Sequence, residues 1–332
     1  MTKIGICVAG YGYFGQKLYG YLTKMNECEV RYLYHTDETK ARSYGPLGNS
    51  DLVKIIHNQS VDAFVVATPN DQHFDLLWHL LNRGHHHVFV EKPMANSYDE
   101  GLRLAGLLKD HRGVFMVGHC HRRENVYRKA KEFLNAGVIG KIVNINFNYS
   151  SAKVFTIGKN EWRASAVRAD LGPLAMVGSH CIDTIHYLFG KVVSVYARLQ
   201  NLTGKTESPD TSSVVLNLEN EATVFLQCNY NVPIDRYCFI SGIKGAIYID
   251  RNRLWLRADP DQMTEDQKFI PSEKIEIEVV KNDPIEEELK EFLNAIRTGK
   301  KVETGYEEGL AVIRVLEACR RSAKENVPIR LS

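Results

Sequence analysis

The first chemically loaded stretch of the chain is "GYGYFG", where Gly10, Gly12 and Gly15 stand at Gly-x-Gly-x-x-Gly spacing and enclose Tyr13 and Phe14. Glycines so placed permit a tight turn, a close backbone approach to a pyrophosphate and close packing of the following helix. The loop follows the apolar run "IGICVA" and leads into an amphipathic segment, so its expected ligand is a dinucleotide held on helix-start amides. A second stretch, "HVFVEKPMANS" at 87–97, ends a short apolar run on Glu91, Lys92 and Pro93, an ion-pairable couple beside a rigid corner. Solvated turn residues would account for that couple as readily, and only its place in the fold separates the two readings. A third stretch, "GHHHV", sets His85, His86 and His87 side by side. Adjacent residues cannot easily wrap one ion, so no metal is expected and the three are read as turn residues.

The elements that must position these groups follow from periodicity. Residues 3–120 alternate short apolar runs ("IGICVAG", "VRYLYH", "AFVVATP", "HVFVEKP", "VFMVGH") with helix-length segments such as 74–83. Strands interleaved with helices imply a parallel, doubly wound sheet, whose ligands bind beyond the carboxyl ends of its strands. Those ends are Gly10–Gly15, His35-Thr36, Thr68-Pro69-Asn70, Glu91-Lys92-Pro93 and His119-Cys120-His121. Lys92 therefore belongs to the cofactor edge, which weakens the solvated-turn reading. At the end of the second strand a NAD-preferring fold carries an acidic residue for the ribose hydroxyls. Here His35 and Thr36 hold that place, Asp37 follows, and Lys40 and Arg42 begin the next helix. The missing carboxylate tips the expected cofactor, NAD(P), towards NADP. The opposing reading has Asp37 doing the usual work after a small loop shift.

Beyond a helix at "NVYRKAKEFLNAG", longer alternating stretches predict a largely antiparallel sheet, with "ENEA" as a hairpin turn. Near the end, Asp283 caps and Pro284 starts a helix that buries Ile285, Leu289, Phe292, Leu293 and Ile296. Two domains are expected, 1–121 for the dinucleotide and 122–332 for substrate and oligomerisation, with the C-terminal helices returning to the first. The 332 residues are 44% hydrophobic and 25% charged, with net charge +2. Near-neutral charge gives no reason to expect nucleic acid or a membrane surface as partner, and no apolar run approaches the ~20 residues that span a bilayer. The 7 cysteines are scattered and lack a Cys-x-x-Cys pair, so they read as free thiols of a cytoplasmic protein.

Taken in order, "ATPNDQH", "GHHHVFVEKPMANS", "AGVIGKI", "EWR", "GSHCID" and "ISGIKGAIYID" resemble the glucose–fructose oxidoreductase / inositol dehydrogenase / MocA (Gfo/Idh/MocA) family, as does the ending "EFLNAIRTG…EEGLAVIRVLEACRRSA". The resemblance covers nearly the whole chain. It implies an α/β protein with an N-terminal Rossmann domain and a C-terminal α/β domain, whose large, mostly antiparallel open sheet often joins subunits into a homodimer or homotetramer. It adds His73 of "ATPNDQH" to the cofactor residues and places Lys92 beside the reacting oxygen, often before a cis Lys-Pro bond. Related dehydrogenases carry Asp-x-x-x-His on a helix of the second domain. That motif aligns with Met176-Val177-Gly178-Ser179-His180, so the histidine is kept and the aspartate is replaced. Asp183 matches a structural position. His119, His121, Arg122, Arg123, Trp162, Arg163 and Arg168 fall in segments that face the cofactor in relatives, a cationic set suited to an anionic sugar-like substrate. The implied activity is hydride exchange between NAD(P) and a secondary alcohol or ketone of a sugar, polyol or sugar nucleotide, with Lys92 polarising the oxygen and His180 as acid/base. A dinucleotide-binding regulator without turnover is the alternative, favoured by Met176 and opposed by Lys92 and His180.

Overall fold

The computed structural model describes residues 2–84, 86–259 and 262–331. The chain divides into two units, Met1–Cys120 with Pro284–Ile313, and His121–Asp283 with Arg314–Ser332. In the first unit, six strands pair in parallel: β1 (Ile4–Ala9), β2 (Cys28–Tyr34), β3 (Gly48–Asn49), β4 (Ala63–Val66), β5 (His87–Glu91) and β6 (Phe115–Gly118). Their spatial order is β3-β2-β1-β4-β5-β6. Every residue of β1 and β4 is buried, as befits strands covered on both faces. The connecting helices are α1 (Tyr13–Leu22), α2 (Glu38–Ser43), α3 (Leu52–Ile56), α4 (His73–Arg83) and α5 (Tyr98–Leu108). Leu76, Leu77, Leu80 and Leu81 form the buried stripe of α4, and Ser97 with Glu100 closes a capping box on α5. Because the strands run one way, the loops after β1, β2, β4 and β5 leave from one edge. Strand order reverses between β1 and β4, which opens a crevice at that edge.

The second unit starts with α6 (Asn125–Asn135) and β7 (Ile142–Ser150), and a π-helical turn, Leu174–Gly178, runs into α7 (Ser179–Phe189). There follow β8 (Val192–Gln200), β9 (Thr211–Leu218), β10 (Thr223–Asn229), β11 (Asp235–Gly242), β12 (Ala246–Asp250) and β13 (Arg253–Arg257). Then come a small pair, β14 (Gln262–Met263) with β15 (Phe269–Ile270), and β16 (Ile275–Ile277). Nine strands make one sheet in the order β16-β13-β12-β11-β7-β10-β9-β8, ending on the last strand of the chain, β17 (Ile329–Arg330). Only β7 and β10 pair in parallel among its neighbours. Burial alternates along β9 and β10, so one face is covered and the other open. The expected hairpin is present, with Glu221 at φ 70 in its turn.

Two helices separate β16 from β17. One, α8 (Pro284–Thr298), starts at the expected proline, and its Ile285, Leu289, Phe292 and Leu293 share a core with Ile6 and Val8 of β1. The other is α9 (Tyr306–Glu325), whose Leu310 and Ile313 pack against the α4 and α5 side of the first sheet. An α/β protein with a doubly wound parallel sheet and a larger, mostly antiparallel one is what the sequence predicted.

Candidate functional site

Glycine geometry shapes the edge after β1. Gly10 has φ 92, and a Cβ there would sit 2.7 Å from the Ala67 carbonyl oxygen. At Gly15 it would lie 1.9 Å from the Gly10 oxygen, whereas at Gly12 it would meet nothing within 4 Å. Gly10 and Gly15 are thus dictated by the protein itself, while Gly12 leaves space for a ligand. Gly12 is also the N-cap of α1 and supplies no side-chain cap, so the first amides of that helix face the space with their hydrogens unclaimed by a capping group. Tyr13 is 86% exposed beside them, and Phe14 packs partly into the core under α1. This cradle fits a dinucleotide pyrophosphate.

At the end of β2, His35 Nδ1 accepts the Asp37 amide hydrogen at 2.9 Å. The Asp37 carboxylate caps α2, accepting from Thr39 N and Lys40 N at 2.9 and 3.1 Å. The Lys40 amide is the main cause of its pKa lying below the ordinary aspartate value. Arg42, in the helix after that loop, is ion-paired with Glu38 on the surface. A cavity of about 430 Å³ opens beside Thr36 and Thr68, walled along α4 by Gln72, Asp75, His79 and Arg83. The buried Thr68 hydroxyl makes no hydrogen bond among the described residues. Sequence reading missed the α4 wall, although its polar residues recur at helical spacing opposite the leucine stripe.

Two cofactor expectations look different in place. His73 is fully buried, with Nδ1 2.7 Å from the Pro93 oxygen and Nε2 3.0 Å from the Thr68 oxygen. A neutral imidazole carries one N–H, so one nitrogen donates to one of these carbonyl oxygens, and the buried ring lies between the two loops. Burial holds its pKa below the ordinary histidine value. Glu91 is likewise buried, over Gly118, where a Cβ would approach Glu91 Oε1 to 3.0 Å. Burial pushes its pKa up to about 7 against the pull of Lys92 and Lys17. Lys92 follows, half-buried, joined to Pro93 by a cis bond. Asn70 is buried at the start of the short turn before α4, with Pro69 before it. His87 begins β5, where the sequence predicted a turn residue, and its Nδ1 accepts the Val114 amide, while the His86 oxygen accepts from His111; His85 lies outside the described residues.

Substrate-side expectations change more. His119 has no exposed surface. Arg122, in the second unit, donates to both oxygens of buried Asp183 at 2.9 and 2.6 Å, a buried ion pair within that unit. Arg123 is buried as well. Trp162 and Arg163 remain half-exposed on a short 3₁₀ turn, the guanidinium 4.7 Å from the indole centroid. His180 lies in the first turn of α7, and its ring stacks on His121 at 4.1 Å between centroids and 15° between planes. His121 also stacks on Tyr149 at 5.5 Å and 21°. Met176 sits in the π-helical turn, packed with Val154 and Tyr230 in a small apolar cluster. The segment aligned with Asp-x-x-x-His thus passes from a π-helical turn into α7 between Met176 and His180.

A glycine turn and helix start at the switch point of a doubly wound sheet define a dinucleotide-binding protein. The family model for an oxidoreductase family with an NAD-binding Rossmann fold matches residues 4–119, and that for the GFO/IDH/MocA C-terminal domain matches 127–248. The chain belongs to the Gfo/Idh/MocA family of oxidoreductases. It is similar to scyllo-inositol 2-dehydrogenase (NADP(+)) of Bacillus subtilis (strain 168), 25% identical with 99% of this chain and 96% of the relative covered. A crystal structure from Desulfitobacterium hafniense shares the fold at TM-score 0.89 and 22% identity, over 99% and 98% of the two chains. A levoglucosan dehydrogenase in complex with NADH and levoglucosan does so at TM-score 0.84 and 20% identity, over 99% of each.

Proposed function

We propose that this protein transfers a hydride between NAD(P) and a secondary alcohol or ketone of a sugar, polyol or sugar derivative. The observation that carries this is Lys92, a half-buried ammonium on the cofactor edge of the sheet, held between a buried carboxyl and a fixed proline corner. Bound NAD(P) supplies the hydride acceptor or donor. Lys92 stabilises the oxygen as negative charge develops on it, and His180 takes the hydroxyl proton during oxidation or returns it during reduction. Trp162 and Arg163 are the polyol-side contacts in this reading. The names of relatives support the substrate class: one acts on scyllo-inositol, another is bound to levoglucosan.

For the cofactor we favour NADP. His35, not a carboxylate, follows β2, and one oxygen of the next acidic group, Asp37 Oδ1, is taken up in capping α2. The Bacillus relative is named for NADP(+), while the levoglucosan dehydrogenase complex holds NADH. Seven buried free thiols suit a reducing compartment such as the cytoplasm, and no described helix is long and apolar enough to cross a membrane. Association as a homodimer or homotetramer through the open face of the nine-stranded sheet completes the reading.

The test is a screen of sugars, uronic acids, inositols and sugar nucleotides for a change in nicotinamide absorbance with each cofactor, run beside Lys92→Ala. That variant should keep cofactor affinity and lose turnover by orders of magnitude, since its charge acts mainly in the transition state. Unchanged turnover would refute the mechanism. Titrating NADPH and NADH against wild type and His35→Asp tests the cofactor: wild type should prefer NADPH, and the variant NADH.

A further inference from the structure

The Asp-x-x-x-His motif that aligns here would put an aspartate, to orient the imidazole or aid proton relay, where this chain has Met176, packed among Val154 and Tyr230. His180 is nevertheless not left to an apolar wall. His121, immediately before Arg122 in a short 3₁₀ turn, lies flat on it at 4.1 Å, and Tyr149 of β7 stacks on His121 in turn. Arg236 of β11 stands 5.8 Å from the Tyr149 ring centroid and donates to both Glu124 oxygens at 2.9 and 2.7 Å. Glu124 Oε1 is 3.9 Å from His121 Nε2, beyond hydrogen-bond reach but close enough to favour a single positive charge on the stacked pair. His121 and Tyr149 thus form a column behind one face of His180, with the Glu124–Arg236 ion pair beside it.

We propose that His121 is the positioning residue for His180, holding its imidazole by stacking and coupling its protonation, in the part that the helix aspartate plays in relatives. The proposal rests on the hydride-transfer reading for its catalytic consequence, and on the stacked geometry alone for the coupling. When the substrate hydroxyl gives up its proton, the new N–H bond forms on His180 and that ring becomes a cation against a neutral His121. Two imidazolium rings at this separation repel, so the pair accepts one proton readily and resists the second. An aspartate would favour the cation by opposite charge. A stacked neutral imidazole near Glu124 instead presents a polarisable face and a carboxylate one ring away. Burial raises the Glu124 pKa, and its paired Arg236 works against that rise, which helps keep the carboxylate charged beside the pair.

The decisive experiment follows histidine ring signals by NMR across pH in the full chain, for wild type and His121→Phe, which keeps an aromatic ring on His180 but cannot ionise. In wild type the His180 signal should titrate in two steps, one for each proton of the pair, as expected when two sites interact by more than about one pK unit. In His121→Phe it should collapse to one step with a displaced midpoint. His121→Gln serves as a second variant should the phenylalanine impair folding, judged by circular dichroism. In steady-state assays, kcat near neutrality should fall about tenfold in either variant, within the range of acid–base effects, with KM little changed and the pH limb of kcat moving with the NMR midpoint. Superimposable His180 titrations in wild type and variant overturn the proposal, and so does an altered titration with unchanged kcat. The NMR arm needs no substrate. Absence of turnover with every sugar would therefore refute the dehydrogenase reading while the titration still decides the pairing.

Discussion

Glu91 is a carboxyl placed where a carboxylate is costly. Its folded pKa of about 7 lies above the ordinary glutamate value of 4.5, burial being the dominant cause. A group raised on folding adds stability that is complete below its unfolded pKa and is lost as pH rises through the folded value. Thermal unfolding of the cofactor-free protein should therefore show a loss of stability between about pH 4.5 and about 7 to which Glu91 contributes. Glu91→Gln cannot ionise and should lack that part of the loss; melting temperatures across pH that run parallel for the two proteins would show Glu91 to be charged in the fold. Arg122 and Asp183 are the opposite case, a buried charge pair with 7% and 1% of the side chains exposed. Asp183→Ala leaves the guanidinium buried without its partner, so denaturant unfolding should show a loss of about 3–5 kcal/mol. In the sequence, residue type reveals the charge on Arg122 and not its ion-pair partner, which lies 61 residues further on.

Elements were legible where local chemistry sets them. The glycine turn, the hairpin before β10 and the proline start of α8 each follow from residues next to one another in the chain. The π-helical turn before α7 was not legible, since "LAMVG" carries no local signal against an ordinary helix. Nor was the stack of His121 on His180, which needs the second unit folded before the rings meet. Within the glycine turn, the three glycines have separable duties. Gly15→Ala forces a Cβ to 1.9 Å from the Gly10 oxygen, so it should lower the melting temperature and require the loop to shift. Gly12→Ala meets nothing within 4 Å and should fold as wild type, yet its methyl group enters the space meant for the pyrophosphate. Fluorescence titration should then show weakened NAD(P)H binding at an unchanged melting temperature. Equal affinity in Gly12→Ala would mean that the phosphates lie elsewhere on this edge.

At the scale of the whole molecule, the open face of the nine-stranded sheet is the largest feature the catalytic reading does not use. Strand register brings Tyr196, Val215, Phe225, Asn146, Phe239, Tyr248 and Trp255 into one lateral row across seven strands. Side chains along a strand alternate between faces, and the neighbours Ile145, Leu216 and Val224 are buried on the other side, so the row lies on the uncovered face. Tyr196 is 38% exposed and Phe225 43%, while Phe239 stacks on Tyr248 at 4.5 Å between centroids. The alternating pattern of these strands predicted a half-covered sheet, but the aromatic row appears only once the register is known. Contiguous apolar surface of this kind on a sheet face marks an association site more often than solvent exposure. In a two-fold arrangement, one copy would meet the same row on another. Light scattering after gel filtration should give a mass of at least twice 37.7 kDa. Phe225→Asp puts a charge in the centre of the row without touching the buried face, so it should shift the population to monomer while circular dichroism stays unchanged. A wild-type mass of one chain at micromolar concentration would mean that this face is left to solvent, and the row would then need another explanation.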